Sequence, residues 1–206
     1  MKKTNVNQTG FSLLEVLIAL LILSIGLLGI AGLQVTSKRT NFDAVQRTTA
    51  TMLALEMLER IRANASQLDV YTNTGAGRTF TPAAGITYPA AEPDCEDDDC
   101  TAAELADYDL YQWQEALAGV SETSGGNDVG GLAVPTACIT GAAATTSSTG
   151  NQTATINIAI AWRGMLKLSD PTINTCGNAT GLYGDGTTDN VFRRVLEIDA
   201  TVTETN

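Results

Sequence analysis

The chain contains no histidine. That absence excludes Ser-His-Asp and Cys-His nucleophilic chemistry, and any zinc centre built on imidazole. There is no P-loop and no dinucleotide glycine fingerprint. Cations are scarce, with 12 Lys and Arg against 23 Asp and Glu and a formal net charge of -11. A broad basic surface is therefore lacking, and no nucleic-acid partner is expected. Aromatic residues make up only 5% of 206 residues, although 44% are hydrophobic. The core must be mostly aliphatic, and the length suits one domain with an appendage. Carboxylates are plentiful, but no pattern gathers two into a pocket. No catalytic residue, cofactor or resident metal is assigned, and the chain does not read as an enzyme.

The charge is unevenly spread. Residues 65–206 hold 5 Lys and Arg against 19 Asp and Glu, a net of -14, while residues 34–64 hold 5 against 3, a net of +2. The acidic part reads as a solvated domain outside the cytoplasm. All four cysteines, Cys95, Cys100, Cys138 and Cys176, lie in that part. An even count there suggests disulfides and an oxidising compartment, against the alternative of free buried thiols.

The N-terminus is short and polar, MKKTNVNQTG, with Lys2 and Lys3. It is followed by 23 residues from Phe11 to Leu33 with one charge, Glu15. As a helix they rise about 34 Å, enough to cross a bilayer. Lys2 and Lys3 keep the N-terminus cytoplasmic and place the remainder outside, in the periplasm of a diderm bacterium. An ordinary secretory signal has a shorter apolar stretch followed by a small-residue cleavage site. Here the junction lies in front, between Gly10 and Phe11. Glu15 needs a reason, since a carboxylate in a membrane helix costs about 2.5–3.5 kcal/mol on insertion scales. A glutamate tolerated by the dipole of its own helix N-terminus is the plain alternative.

The run GFSLLEVLIALLIL resembles the signal of type IV prepilins and of type II secretion pseudopilins. The resemblance implies cleavage after Gly10 by a membrane peptidase that also N-methylates Phe11. It implies that Glu15 neutralises the N-terminal amine of a neighbouring subunit during assembly. Further stretches narrow the resemblance: SIGLLGIAGLQ, the ERIRAN ending at Asn64, LADYDLYQW at 105–113 and INIAIAW at 156–162. These are similar to the minor-pilin family of type IV pilus modification proteins, PilV. The implied partners are the prepilin peptidase/N-methyltransferase, other minor and major pilins, the inner-membrane pilus assembly machinery, and membrane lipid before assembly. The implied location is the inner membrane, single-pass, and then the pilus filament at the cell surface. By analogy the subunit primes assembly and sits near the filament tip. A minor pseudopilin of a type II secretion system is the alternative function, and a membrane-anchored binding protein outside any filament is a third.

The expected organisation is α+β, a long N-terminal helix packed on a small antiparallel sheet domain. Residues 1–10 form a leader, 11–33 the transmembrane and filament-core half of the helix, 34–64 its amphipathic half, and 65–206 the periplasmic globular domain. Phe42, Val45, Thr49, Met52, Leu53, Met57 and Ile61 are expected to form the stripe that meets the sheet. Gly26, Gly29 and Gly32 each weaken the helix by about 1 kcal/mol relative to alanine. They mark a stretch that lengthens on entering a filament, or they allow close packing in lipid.

Residues 66–100 read as loop. Thr101 and Glu104 form a capping box, opening a helix with Leu105, Ala106, Leu110, Trp113, Ala116, Leu117 and Val120 on one face. Strands are expected at 132–140, around Ile156–Trp162 and around Leu196–Val202, with a flexible loop at 142–152. Of three possible pairings the expected one is Cys95–Cys100 and Cys138–Cys176. The acidic run between Cys95 and Cys100 reads as a closed surface loop rather than a calcium site, because its spacing does not follow an EF-hand. Asp185 to Asp189 reads as a turn.

Overall fold

The computed structural model describes residues 10–81, 93–120, 122–128, 130–142, 145–146, 151–186 and 189–204. Most of the leader, much of the loop between 66 and 100, and parts of the expected loop at 142–152 and of the turn at 185–189 lie outside the described residues.

One helix, α1, runs over Leu13–Ala63. Ser12 opens it: the Leu14 N–H donates to Ser12 Oγ at 3.2 Å, and Glu15 N–H to Ser12 O at 3.0 Å. No proline interrupts it, and Arg60 and Arg62 stand in its last turn, where cations complement the dipole. The chain divides into two compact units inside this helix, 1–41 and 42–206. The first unit is the apolar half of α1, with large aliphatics such as Leu14, Leu21 and Leu28 exposed.

In the second unit, α1 supplies one wall of the core. The buried residues are Gln46, Ala50, Leu53, Ala54, Met57, Leu58 and Ile61. This corrects the expected stripe: Leu53, Met57 and Ile61 belong to it, but Val45 and Met52 are more than half exposed. The contact face is set by where backbones approach closely. Small Ala50 and Ala54 permit that approach, whereas the bulkier Val45 and Met52 fall on the far side.

After α1 come a 3-10 turn, Ala65–Gln67, a short helix α2, Leu68–Tyr71, and strand β1, Arg78–Phe80. None of the three is expected from a stretch rich in Thr and Gly. Helix α3, Ala102–Ala118, has the capping box: Thr101 Oγ1 accepts from Glu104 N–H, and Glu104 Oε2 accepts from Thr101 N–H at 2.8 Å. Gly119 closes α3 in the left-handed conformation. A Cβ there would lie 2.0 Å from the Gly130 carbonyl carbon, so only glycine fits. On α3, Ala106, Leu110, Trp113 and Leu117 are buried, whereas Leu105 is exposed.

Strands β2, Thr123–Ser124, and β3, Asn127–Asp128, form a small hairpin. The main sheet contains β1, β4 (Thr136–Gly141), β5 (Thr145–Thr146), β6 (Gln152–Arg163) and β7 (Arg193–Thr203). Its order is β1-β4-β6-β7, with β5 also paired to β6 beside Thr153, and every pairing is antiparallel. The fold is the expected α+β layout, a long N-terminal helix on a small antiparallel sheet. β4 starts at Thr136 rather than at Leu132, because Pro135 lacks the N–H a ladder needs.

Alternation on β6 separates two faces. Ile156, Ile158, Ile160 and Trp162 are buried in the core with the α1 residues. Ala159 and Ala161 are buried on the opposite face, although that face of an ordinary sheet would meet water. They are covered by the segment between β6 and β7, whose Gly177 lies so near that a Cβ would meet the Ala161 Cβ at 3.2 Å. Small residues at 159 and 161 thus leave room for a second layer.

Candidate functional site

Gly10 and Phe11 precede the first turn of α1 and are exposed. Nothing lies within 4 Å of where a Gly10 Cβ would be. Glu15 stands in the first helical turn. Phe11 and Glu15 line one shallow apolar groove with Val16, Ala19, Leu20 and Leu23. The helix that follows is long and apolar enough to cross a membrane, and none of its most apolar 18-residue window is buried. An exposed backbone junction, a carboxylate one turn inside the helix and an unpacked apolar surface occur together here. The exposed Gly10–Phe11 peptide and the Glu15 carboxylate thus lie at the same end of the helix. Among the described residues no group of His, Cys, Asp and Glu could hold a metal ion.

The globular unit is fastened in three places. Sγ atoms join Cys95 to Cys100 and Cys138 to Cys176, with Cα separations of 5.6 Å and 5.9 Å. The second bridge pins the covering segment to β4 beside Ala159. Arg193, 1% exposed, organises the same segment. Its Nε donates to Asp170 Oδ1 at 2.7 Å, and its Nη atoms donate to the carbonyls of Cys176 at 2.7 Å, Asn174 at 2.8 Å, and Pro171. A charge is buried here because every side of it meets an oxygen. The sequence gives no signal of this role, since an arginine at a strand start reads as solvated.

The third fastening joins the end of α1 to α3. Arg60 Nη1 donates to Asp109 Oδ1 and Gln112 Oε1, both at 2.8 Å, and Tyr71 Oη donates to Asp109 Oδ2 at 2.5 Å. Burial pushes the Tyr71 hydroxyl well above its usual range, and the Asp109 carboxylate adds to the shift. Burial opposes the Arg60 charge, but Asp109 and Glu56 outweigh it and raise its pKa. Trp113 completes the joint. Its Nε1–H donates to the Leu53 carbonyl at 2.9 Å, and its ring meets Phe80 edge-on at 5.7 Å. The network ties the end of α1 to α3 through the buried Asp109 carboxylate, with Arg60 and Glu56 still partly exposed at its rim.

A half-apolar, half-packed single helix on an antiparallel sheet, headed by a Gly-Phe junction and a glutamate, defines the type IV pilin architecture. Comparison with protein families agrees. The prokaryotic N-terminal methylation motif matches residues 5–31, and the family described as type IV pilin Tt1218 matches residues 32–111. The chain is a type IV pilin with a prepilin methylation motif, and so a component of a pilus or pseudopilus. The motif implies processing by a prepilin peptidase and assembly with other pilins. Comparisons with curated proteins and with solved structures returned no match.

Proposed function

We propose that this chain is a minor pilin of the PilV type, cleaved between Gly10 and Phe11, methylated at Phe11, and used to prime or cap a type IV pilus. The observation that carries the reading is the Gly10–Phe11 junction one turn before Glu15, within the matched methylation motif. The finer assignment rests on the resemblance of ERIRAN and LADYDLYQW to that minor-pilin family. Before assembly the apolar half of α1 holds the chain in the inner membrane, with the disulfide-bearing unit in the periplasm. In the filament Glu15 meets the N-terminal amine of a neighbour, which a low-dielectric setting strengthens. The globular unit serves as a contact surface for other subunits.

The test is fractionation with a tagged chain. Sheared surface pili should contain it as a species beginning at methylated Phe11. Recovery only in cells that assemble a type II secretion pseudopilus would assign it there instead.

A further inference from the structure

The last strand, β7, has one partner among the described residues, β6. Eleven consecutive residues pair with no bulge. Gly164 N–H donates to Phe192 O across the mouth of this hairpin. That bond fixes the phase of the antiparallel ladder. The even residues of β7 face β6, and Val195, Glu197, Asp199, Thr201 and Thr203 turn their backbone N–H and C=O outward. None of these outward groups has a backbone partner among the described residues.

Protein sheets ordinarily blunt such an edge with lysine, proline, a bulge or a cover. β7 has none of the first three. Its two arginines are engaged at its start, Arg193 as described and Arg194 through the Leu166 carbonyl. On the core face, Leu196, Ile198 and Ala200 are only partly buried. On the other face Glu197 and Asp199 are neighbours, both accepting from Asn157 Nδ2, at 2.6 Å and 2.8 Å. The edge therefore offers a backbone ladder, an aliphatic strip and a pair of negative charges.

We propose that the outer edge of β7 receives an extended segment of a different subunit, one carrying Lys or Arg where it faces Glu197 and Asp199. Charge favours a basic occupant over a second copy in the central registers. Antiparallel pairing with a second copy, centred on residue 197, 198 or 199, sets an acid directly opposite an acid, which is destabilising. A basic cross-strand residue turns the same two positions into attraction. Main-chain bonds supply the affinity and the acids the choice of partner. This rests on the filament reading for the class of partner.

The experiment places a photo-crosslinking amino acid at Thr203 in whole cells, with Ala103 on α3 as an exposed control position. Presence in sheared filaments is scored separately, without irradiation. The expected result is an adduct from 203 and none from 103, whose mapped peptide is an extended pilin segment containing Lys or Arg. Thr201→Pro removes an outward N–H but no bond to β6, and should lower adduct yield at least tenfold. The double variant Glu197→Lys, Asp199→Lys should do the same, with protease resistance of the globular unit retained. An adduct to a second copy of this chain, an undiminished yield in both variants, or no adduct in membrane and filament fractions would each overturn the proposal. An adduct confined to membranes, with the chain missing from filaments, would support the edge and sink the filament reading.

Discussion

Tyr183 shows how single residues set conditions for this fold. Burial pushes its hydroxyl up to about 12, with Thr136 and Arg193 pulling part of the way back. The neutral form is favoured in the folded state, so this contribution is complete below the unfolded value of about 10. It is lost as pH rises through 10 towards 12. Tyr71 is shifted in the same direction. Urea midpoints of the wild type should therefore hold steady up to about pH 10 and fall beyond it, a fall reduced in Tyr183→Phe. At neutral pH that variant should be about 1 kcal/mol less stable, because the Thr136 hydroxyl 2.9 Å away loses its partner. Arg60 and Arg62 make a contrast two positions apart. Arg60→Met strands the nearly buried Asp109 and should cost about 2 kcal/mol in chemical denaturation. Arg62→Met loses only an exposed pair with Glu59 and should stay within about 0.5 kcal/mol. Glu15→Ala should insert and be cleaved yet reach sheared pili poorly, with Glu15→Asp intermediate on immunoblots; equal incorporation of the Ala variant would remove Glu15 from assembly.

At the scale of elements, the segment that leads into β4 is held under strain. Val134 adopts a positive φ of 51°, which a β-branched residue rarely tolerates. It is pinned on both sides: Ala133 N–H donates to Gln46 Oε1 at 2.7 Å, and the Tyr183 hydroxyl lies 3.0 Å from the Val134 carbonyl. Val134→Gly should relieve the strain and raise the unfolding free energy, read from urea denaturation, by about 1 kcal/mol. The Cys138–Cys176 bridge spans 38 residues, and its removal by Cys138→Ala, Cys176→Ala should cost about 4 kcal/mol on the chain-entropy model. Legibility follows from how local each signal is. The apolar run, the Thr101 capping box and the alternation of β6 are carried by neighbouring residues, and all were readable in the sequence. Gln46 is buried because it caps a distant loop, and Arg193 because a segment wraps it. Neither fact is written near those residues. The face of α1 was half misread for the same reason, since Val45 and Met52 are as apolar as the residues that are buried. Strand β1 went unseen because its pairing with β4 is made some 60 residues away, and Arg78 and Thr79 are not strong strand formers in isolation.

For the whole molecule, the core residues of the second unit all come from Ala50 onward. A fragment beginning near residue 34 should therefore fold with the same thermal midpoint as the detergent-solubilised full chain, and remain soluble. A lowered midpoint would show that the apolar half contributes to the globular unit. Cleavage belongs to the other end: Gly10→Val should block the peptidase and leave the ten-residue leader in place by N-terminal mass spectrometry. The helix that carries that leader is also the one whose Leu53 carbonyl takes the Trp113 N–H and whose Asp43 side chain accepts from Met165 N–H at 3.1 Å. The apolar segment and one wall of the core are stretches of the same helix, Leu13–Ala63. Force applied to the apolar segment is therefore carried along the backbone that also supplies the wall of the globular unit. That wall is held by seven buried side chains between Gln46 and Ile61, so drawing it out of the globular unit would have to break their contacts.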